Sequence, residues 1–181
     1  MKPFTLQECV SWCESAGIGV ARATEPKPMF PASSACFSIA FPERARGRCS
    51  LAIALLNDDV DHPIRFTQAL LWTHMWEIGS EELNQIGVAA IEGMRGSRLE
   101  THPGLAFEPT EYNAAQAIWA MTTIFEFDAS VVLAGGDVIL YASHDSQLYV
   151  ACHSTALRDV LAREYAEFWP VRVDDCPVHM R

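Results

Sequence analysis

The chain has little lysine and no metal-binding or redox motif built from its cysteines. Lys2 and Lys27 stand against eleven arginines. None of the six cysteines forms a C-x-x-C pair, which removes the commonest zinc and dithiol arrangements. No apolar run reaches the roughly 18 residues of a membrane span. The His-Glu-x-x-His zinc pattern, the alternating calcium loop and a glycine-rich phosphate loop opening a helix are missing as well. There is no regular βαβαβ alternation, which argues against a doubly wound parallel sheet. Internal repeats and low-complexity stretches are also lacking.

What is present is an uneven distribution of charge. The 181 residues carry a formal net charge of −10. Residues 57–128 hold twelve acidic side chains against Arg65, Arg95 and Arg98, so that stretch alone carries −9. Such a field steers basic partners and repels nucleic acid. Half of the chain is hydrophobic and a fifth is charged, enough for a sizeable core in a single domain spanning residues 1–181. No apolar run follows Lys2 as in a secretory leader, so the expectation is a soluble, cytoplasmic protein with reduced cysteines.

Periodicity outlines the elements. Thr5-Leu6-Gln7-Glu8 has the form of a capping box, with Leu6, Cys9, Val10 and Cys13 as the apolar face of the helix it opens. Residues 18–23 read as a short strand, followed by a stiff proline-rich connector over 25–31. Residues 36–41 and 49–56 read as an antiparallel strand pair, with Arg44, Arg46 and Arg48 in the turn. The stretch 64–78 reads as a helix or a bent strand. Ser80 is expected to cap a helix to about Met94, with Leu83, Ile86, Ala90, Ile91 and Met94 buried. Residues 97–109 read as loop, and Thr110 as the cap of a helix to about Phe125. Three short strands follow at 129–134, 137–142 and 147–152, turning at Gly135-Gly136 and at Ser143-His144-Asp145-Ser146. A last helix opens at Ser154 or Thr155, with a polar tail beyond Pro170. The whole predicts an α+β fold: an antiparallel or mixed β-sheet with a C-terminal meander and helices packed against it.

Candidate chemistry is sparse. Asp58, Asp59, Asp61 and His62 read first as a solvated acidic loop, then as a docking site for basic side chains, and last as a cation site. Ser143, His144 and Asp145 are the residue types of a hydrolase triad, but neighbours in one turn cannot meet in triad geometry. Cys152 and His153 point to opposite sides of a strand. No catalytic residue, metal or cofactor is expected.

Three segments carry a resemblance: Trp72-Thr73-His74-Met75-Trp76-Glu77-Ile78-Gly79, Phe125-Glu126-Phe127-Asp128-Ala129 and Ser143-His144-Asp145-Ser146. Their order resembles small bacterial proteins with a Trp-rich segment, a helix ending in aromatic-Asp-Ala, and a Ser-His-Asp turn. In size and acidity the chain also resembles the immunity proteins that bacteria make against polymorphic and type VI secreted toxins. That resemblance implies a non-enzymatic binding protein whose partner is a cognate toxin, with neither nucleic acid nor membrane as a target. A basic toxin such as a nuclease would meet Asp58, Asp59, Asp61, Glu81 and Glu82 as charge contacts, with Trp76 as an aromatic anchor. The alternative is a small hydrolase using Cys152 or His144 with a carboxylate.

Overall fold

The computed structural model describes residues 1–21, 26–30, 34–57, 59, 62, 64–74 and 82–177, the side chains of 82–84 excepted. The elements in chain order are β1 (Lys2–Phe4), α1 (Leu6–Ser15), β2 (Val20–Ala21), β3 (Lys27–Pro28), β4 (Ala35–Ala40) and α2 (Ala45–Leu55). Then come β5 (Ala69–Thr73), α3 (Glu82–Arg95), β6 (Gly104–Phe107), a 3₁₀ turn (Pro109–Glu111) and α4 (Tyr112–Ile124). The chain continues through β7 (Ala129–Leu133), β8 (Val138–Ser143), β9 (Gln147–Cys152), α5 (Thr155–Ala166) and β10 (Val171–Val173). Eight strands form one sheet in the order β1-β6-β5-β7-β8-β9-β4-β10. Their pairings are antiparallel. The architecture is the α+β one expected, with β7, β8 and β9 as its meander.

Both faces of the sheet are covered, because its strands bury side chains on alternate sides. Phe37, Leu71, Leu105, Val131, Leu140 and Val150 pack against Leu51 and Leu55 of α2, Ile118 and Trp119 of α4, and Leu161 and Tyr165 of α5. On the other face Leu70, Trp72, Val132, Ile139, Tyr141 and Ala151 meet Cys9, Val10 and Cys13 of α1. Among the described residues no helix is long and apolar enough to cross a membrane.

Two of the expected caps are made, but Thr110 is not a cap: it lies within the 3₁₀ turn, and α4 has Glu111 at its N-cap with no side-chain bond. Both halves of the Thr5–Glu8 capping box are made, and the Ser154 hydroxyl accepts from the Leu157 amide at 3.2 Å. Gly135 and Gly136 turn the β7–β8 hairpin at φ +103° and +69°, where a side chain would strain the backbone.

Four further expectations need correction. Residues 49–56 are helical, not a strand. α2 buries Leu51, Ala52 and Leu55 and leaves Ile53 exposed, a helical spacing hidden within a continuous apolar run. The arginine cluster therefore opens a helix rather than turning a hairpin. Arg48 donates from Nε to the Pro42 carbonyl at 2.9 Å and from Nη1 to the Ile124 carbonyl at 3.2 Å, and it pairs with Glu126. Second, the loop expected over 97–109 contains β6, which pairs with both β1 and β5. Third, the tail is not free. β10 pairs with β4, and Cys176 is bonded to Cys36 across 140 residues, so these two cysteines are not reduced. Fourth, α3 buries Gly87, Ile91 and Arg95 and leaves Ile86 61 % and Met94 40 % exposed. The expected Ser80 cap lies outside the described residues.

Candidate functional site

Trp72, Thr73 and His74, the described part of the first segment, meet the other two segments at one end of the sheet. Register does this. β5 pairs Thr73 with Ala129, and β7 pairs Ala129 with Ala142, so residues 74, 128 and 143–144 emerge side by side. His74 donates its backbone N–H to the Asp128 carbonyl at 2.7 Å. The His74 ring Nε2 lies 3.1 Å from Ser130 Oγ, a buried hydrogen bond. Trp72 and Tyr141 flank that imidazole, with ring centroids 5.5 and 6.4 Å away.

Asp128 is the centre of the cluster. Its side chain is 2 % exposed. Its carboxylate accepts the His144 backbone N–H at 2.8 Å and the His144 Nδ1–H at 2.9 Å. Burying a carboxylate is costly unless it is paired and hydrogen-bonded, and His144 supplies both kinds of partner. The hydrogen bond to Asp128 raises the His144 pKa above its ordinary 6.5, and Asp145 adds to the effect. His144 Nε2 is 3.6 Å from Asp145 Oδ1, and the two side chains are 60 % and 72 % exposed. The result is an imidazole fixed from below by a buried anion and presented to solvent beside a second carboxylate. Beside it, burial first and then the Asp128 charge push the Tyr141 phenol up. Glu126, in the left-handed region at φ +54°, accepts from Ser146 Oγ at 2.8 Å and ties the turn to Arg48.

Arg95, which the sequence did not single out as functional, sits behind this end. It is 3 % exposed and donates from Nη2 to the carbonyls of His102 and Gly104. Burial lowers its pKa to about 10, so it stays charged at neutral pH. Its place in the chain gives no hint of burial, since α3 reads as apolar along a different stripe.

Of the residues expected to meet a partner, Asp58, Asp61, Trp76, Glu81 and the Glu82 side chain lie outside the described residues. Asp59 is exposed, and its backbone N–H is held by Asn57 Oδ1 at 2.9 Å. Most other carboxylates of the acidic stretch have internal work. Glu92 accepts from the Leu99 amide, Glu108 from Gln68, Glu111 from the Glu108 amide, Glu126 from Ser146 and Asp128 from His144. Glu100 is exposed. Most of the described carboxylates of that stretch are thus hydrogen-bonded within the fold.

The cysteine chemistry points away from catalysis. Burial pushes the thiols of Cys9, Cys13 and Cys152 up to about 12, so at neutral pH they are protonated and poor nucleophiles. His153 faces Asp137 rather than Cys152, with Nδ1 3.5 Å from the carboxylate. Among the described residues no group of three or more His, Cys, Asp or Glu is placed to hold a metal ion. No protein family, curated protein or solved structure matches this chain.

Proposed function

We propose that this chain is a binding protein of the immunity class, which neutralises a cognate secreted bacterial toxin by occupying it. One observation carries the reading. The described residues of the three segments on which the resemblance rests come together at the Asp128–His144 pair, with the His74 amide on the Asp128 carbonyl. A rigid, exposed His144 beside Asp145 contacts a partner at little entropic cost, because Asp128 has already fixed it. The net charge of −10 speeds encounter with a basic partner such as a nuclease toxin. Asp58, Asp59, Asp61, Glu81 and Glu82 belong to this proposal as steering charges and Trp76 as an aromatic anchor.

The test is rescue. The protein encoded beside this chain's gene is expressed in a bacterial host with and without the chain. Restored growth together with a stable complex on gel filtration supports the reading. A neighbour that is harmless alone, or toxicity the chain does not relieve, contradicts it.

The Asp128–His144 pair also favours a second reading, a hydrolase with His144 as general base. An oriented imidazole is the right part for that role. The carboxylate on each side raises the pKa, which strengthens the base and also favours its charged form. Turnover of activated esters that vanishes in His144→Ala would establish this second reading.

A further inference from the structure

We propose that the C-terminal tail is a redox-controlled strap, fastened along the edge of the sheet by the Cys36–Cys176 bond and released by a dithiol reductant. The inference starts from what the bond joins. Cys36 lies in β4, whose Ala35, Cys36, Phe37, Ser38 and Ile39 are all buried. Cys176 lies beyond β10, the three-residue strand that closes that edge. The two Cα atoms are 5.4 Å apart.

Apart from this bond, the tail is held lightly. β10 contributes a short ladder in the register Val171↔Ile39, Arg172↔Ser38 and Val173↔Phe37. The Asp174 amide donates to the Cys36 carbonyl at 2.9 Å. Ser38 Oγ donates to Asp175 at 2.6 Å. Arg158 pairs with Asp174, whose side chain is 77 % exposed, and a surface pair of that kind adds little. Val173 and Arg172 are exposed, and Val171 is only half buried. Val171 packs against the core and Pro177 is buried, but the ladder is three residues long with two exposed side chains, and the disulfide is its covalent hold on β4.

The consequence of release is specific. The Phe41 amide donates to Ser146, and backbone groups alternate along an antiparallel strand. Phe37 and Ile39 therefore turn their backbone groups toward β9, and Cys36 and Ser38 turn theirs toward β10. Reduction takes two electrons and two protons from the dithiol, which becomes a cyclic disulfide, and leaves thiols at Cys36 and Cys176. The tail then leaves, and β4 becomes an open edge six residues long, a template for strand addition. The other four cysteines are free thiols, with Cys9, Cys13 and Cys152 buried and Cys49 on α2.

The test uses the full chain in oxidised and reduced dithiothreitol, read by thiol titration under denaturation and by amide hydrogen exchange. Four thiols are expected in the oxidised protein and six in the reduced one. Exchange at Ser38 and across 171–177 should rise by about tenfold or more on reduction, with Leu140 in the meander unchanged. Cys176→Ala should show the fast exchange without any reductant. Six thiols in both states would overturn the proposal. So would equal Ser38 exchange in both states, or a Leu140 amide that loosens with it, which would mean general unfolding and not a strap.

Discussion

Asp128 sets the state of His144. The imidazolium is stabilised by a carboxylate that has no exposure to water of its own. The histidine pKa is raised in the folded chain above the ordinary 6.5. Its contribution to stability is therefore fully present below that value and is lost as pH rises through the raised one. In wild type, the denaturation midpoint should fall across that window, and the fall should be absent in His144→Ala. In Asp128→Asn the ring should titrate lower than in wild type, as followed by NMR of its carbon-bound protons. A ring that titrates identically in both proteins would contradict the pairing. The two residues were each visible in the sequence as parts of separate short motifs, sixteen positions apart. Their meeting was not, because it depends on the register of β7 against β8, which the Gly135-Gly136 turn sets. Reading that hairpin as a ruler would have put Asp128 next to His144.

Two glycines of α3 show how one element serves two surfaces. At Gly87 an added Cβ would lie 2.7 and 2.8 Å from ring carbons of Phe125. At Gly93 it would meet nothing within 4 Å. Gly87→Ala should therefore destabilise the chain by about 1–3 kcal/mol through overpacking. Gly93→Ala should stabilise it by up to ~1 kcal/mol, as alanine is the better helix former. Urea denaturation reads both, and equal shifts of the same sign would mean that α3 does not pack on Phe125. Both glycines count against a helix by propensity alone, yet the helix forms because Gly87 admits the aromatic ring. The same tension explains α2. Its run of Leu, Ala and Ile has no polar interruption to show a period, so only the packing of Leu51 and Leu55 on one side distinguishes helix from strand. The capped ends were more legible, because the cap chemistry is local. Removing one, Ser154→Ala, should cost about 1 kcal/mol, measured by the same denaturation. β6 and β10 were illegible for the opposite reason, being four and three residues long and defined by distant partners.

At the scale of the whole molecule, charge and contact separate. A net charge of −10 acts at a distance, whereas in the proposed role close contact falls to the exposed His144, which Asp128 holds in place, and to Asp145 beside it. Association with a basic partner should slow steeply as salt rises, because screening shortens the reach of the field. Stopped-flow mixing at several ionic strengths checks this, and a salt-independent rate would remove steering from the account. The most direct measurement is the affinity of the proposed cognate toxin for wild type and His144→Ala, by calorimetry, with circular dichroism to show that both are folded. His144→Ala removes the imidazole partner of the buried Asp128 carboxylate and so lowers stability, and binding, expected to weaken by about tenfold or more, is compared at a temperature where dichroism shows both proteins folded. A folded His144→Ala protein that binds and protects as well as wild type would contradict the claim that this end of the sheet is where the molecule works.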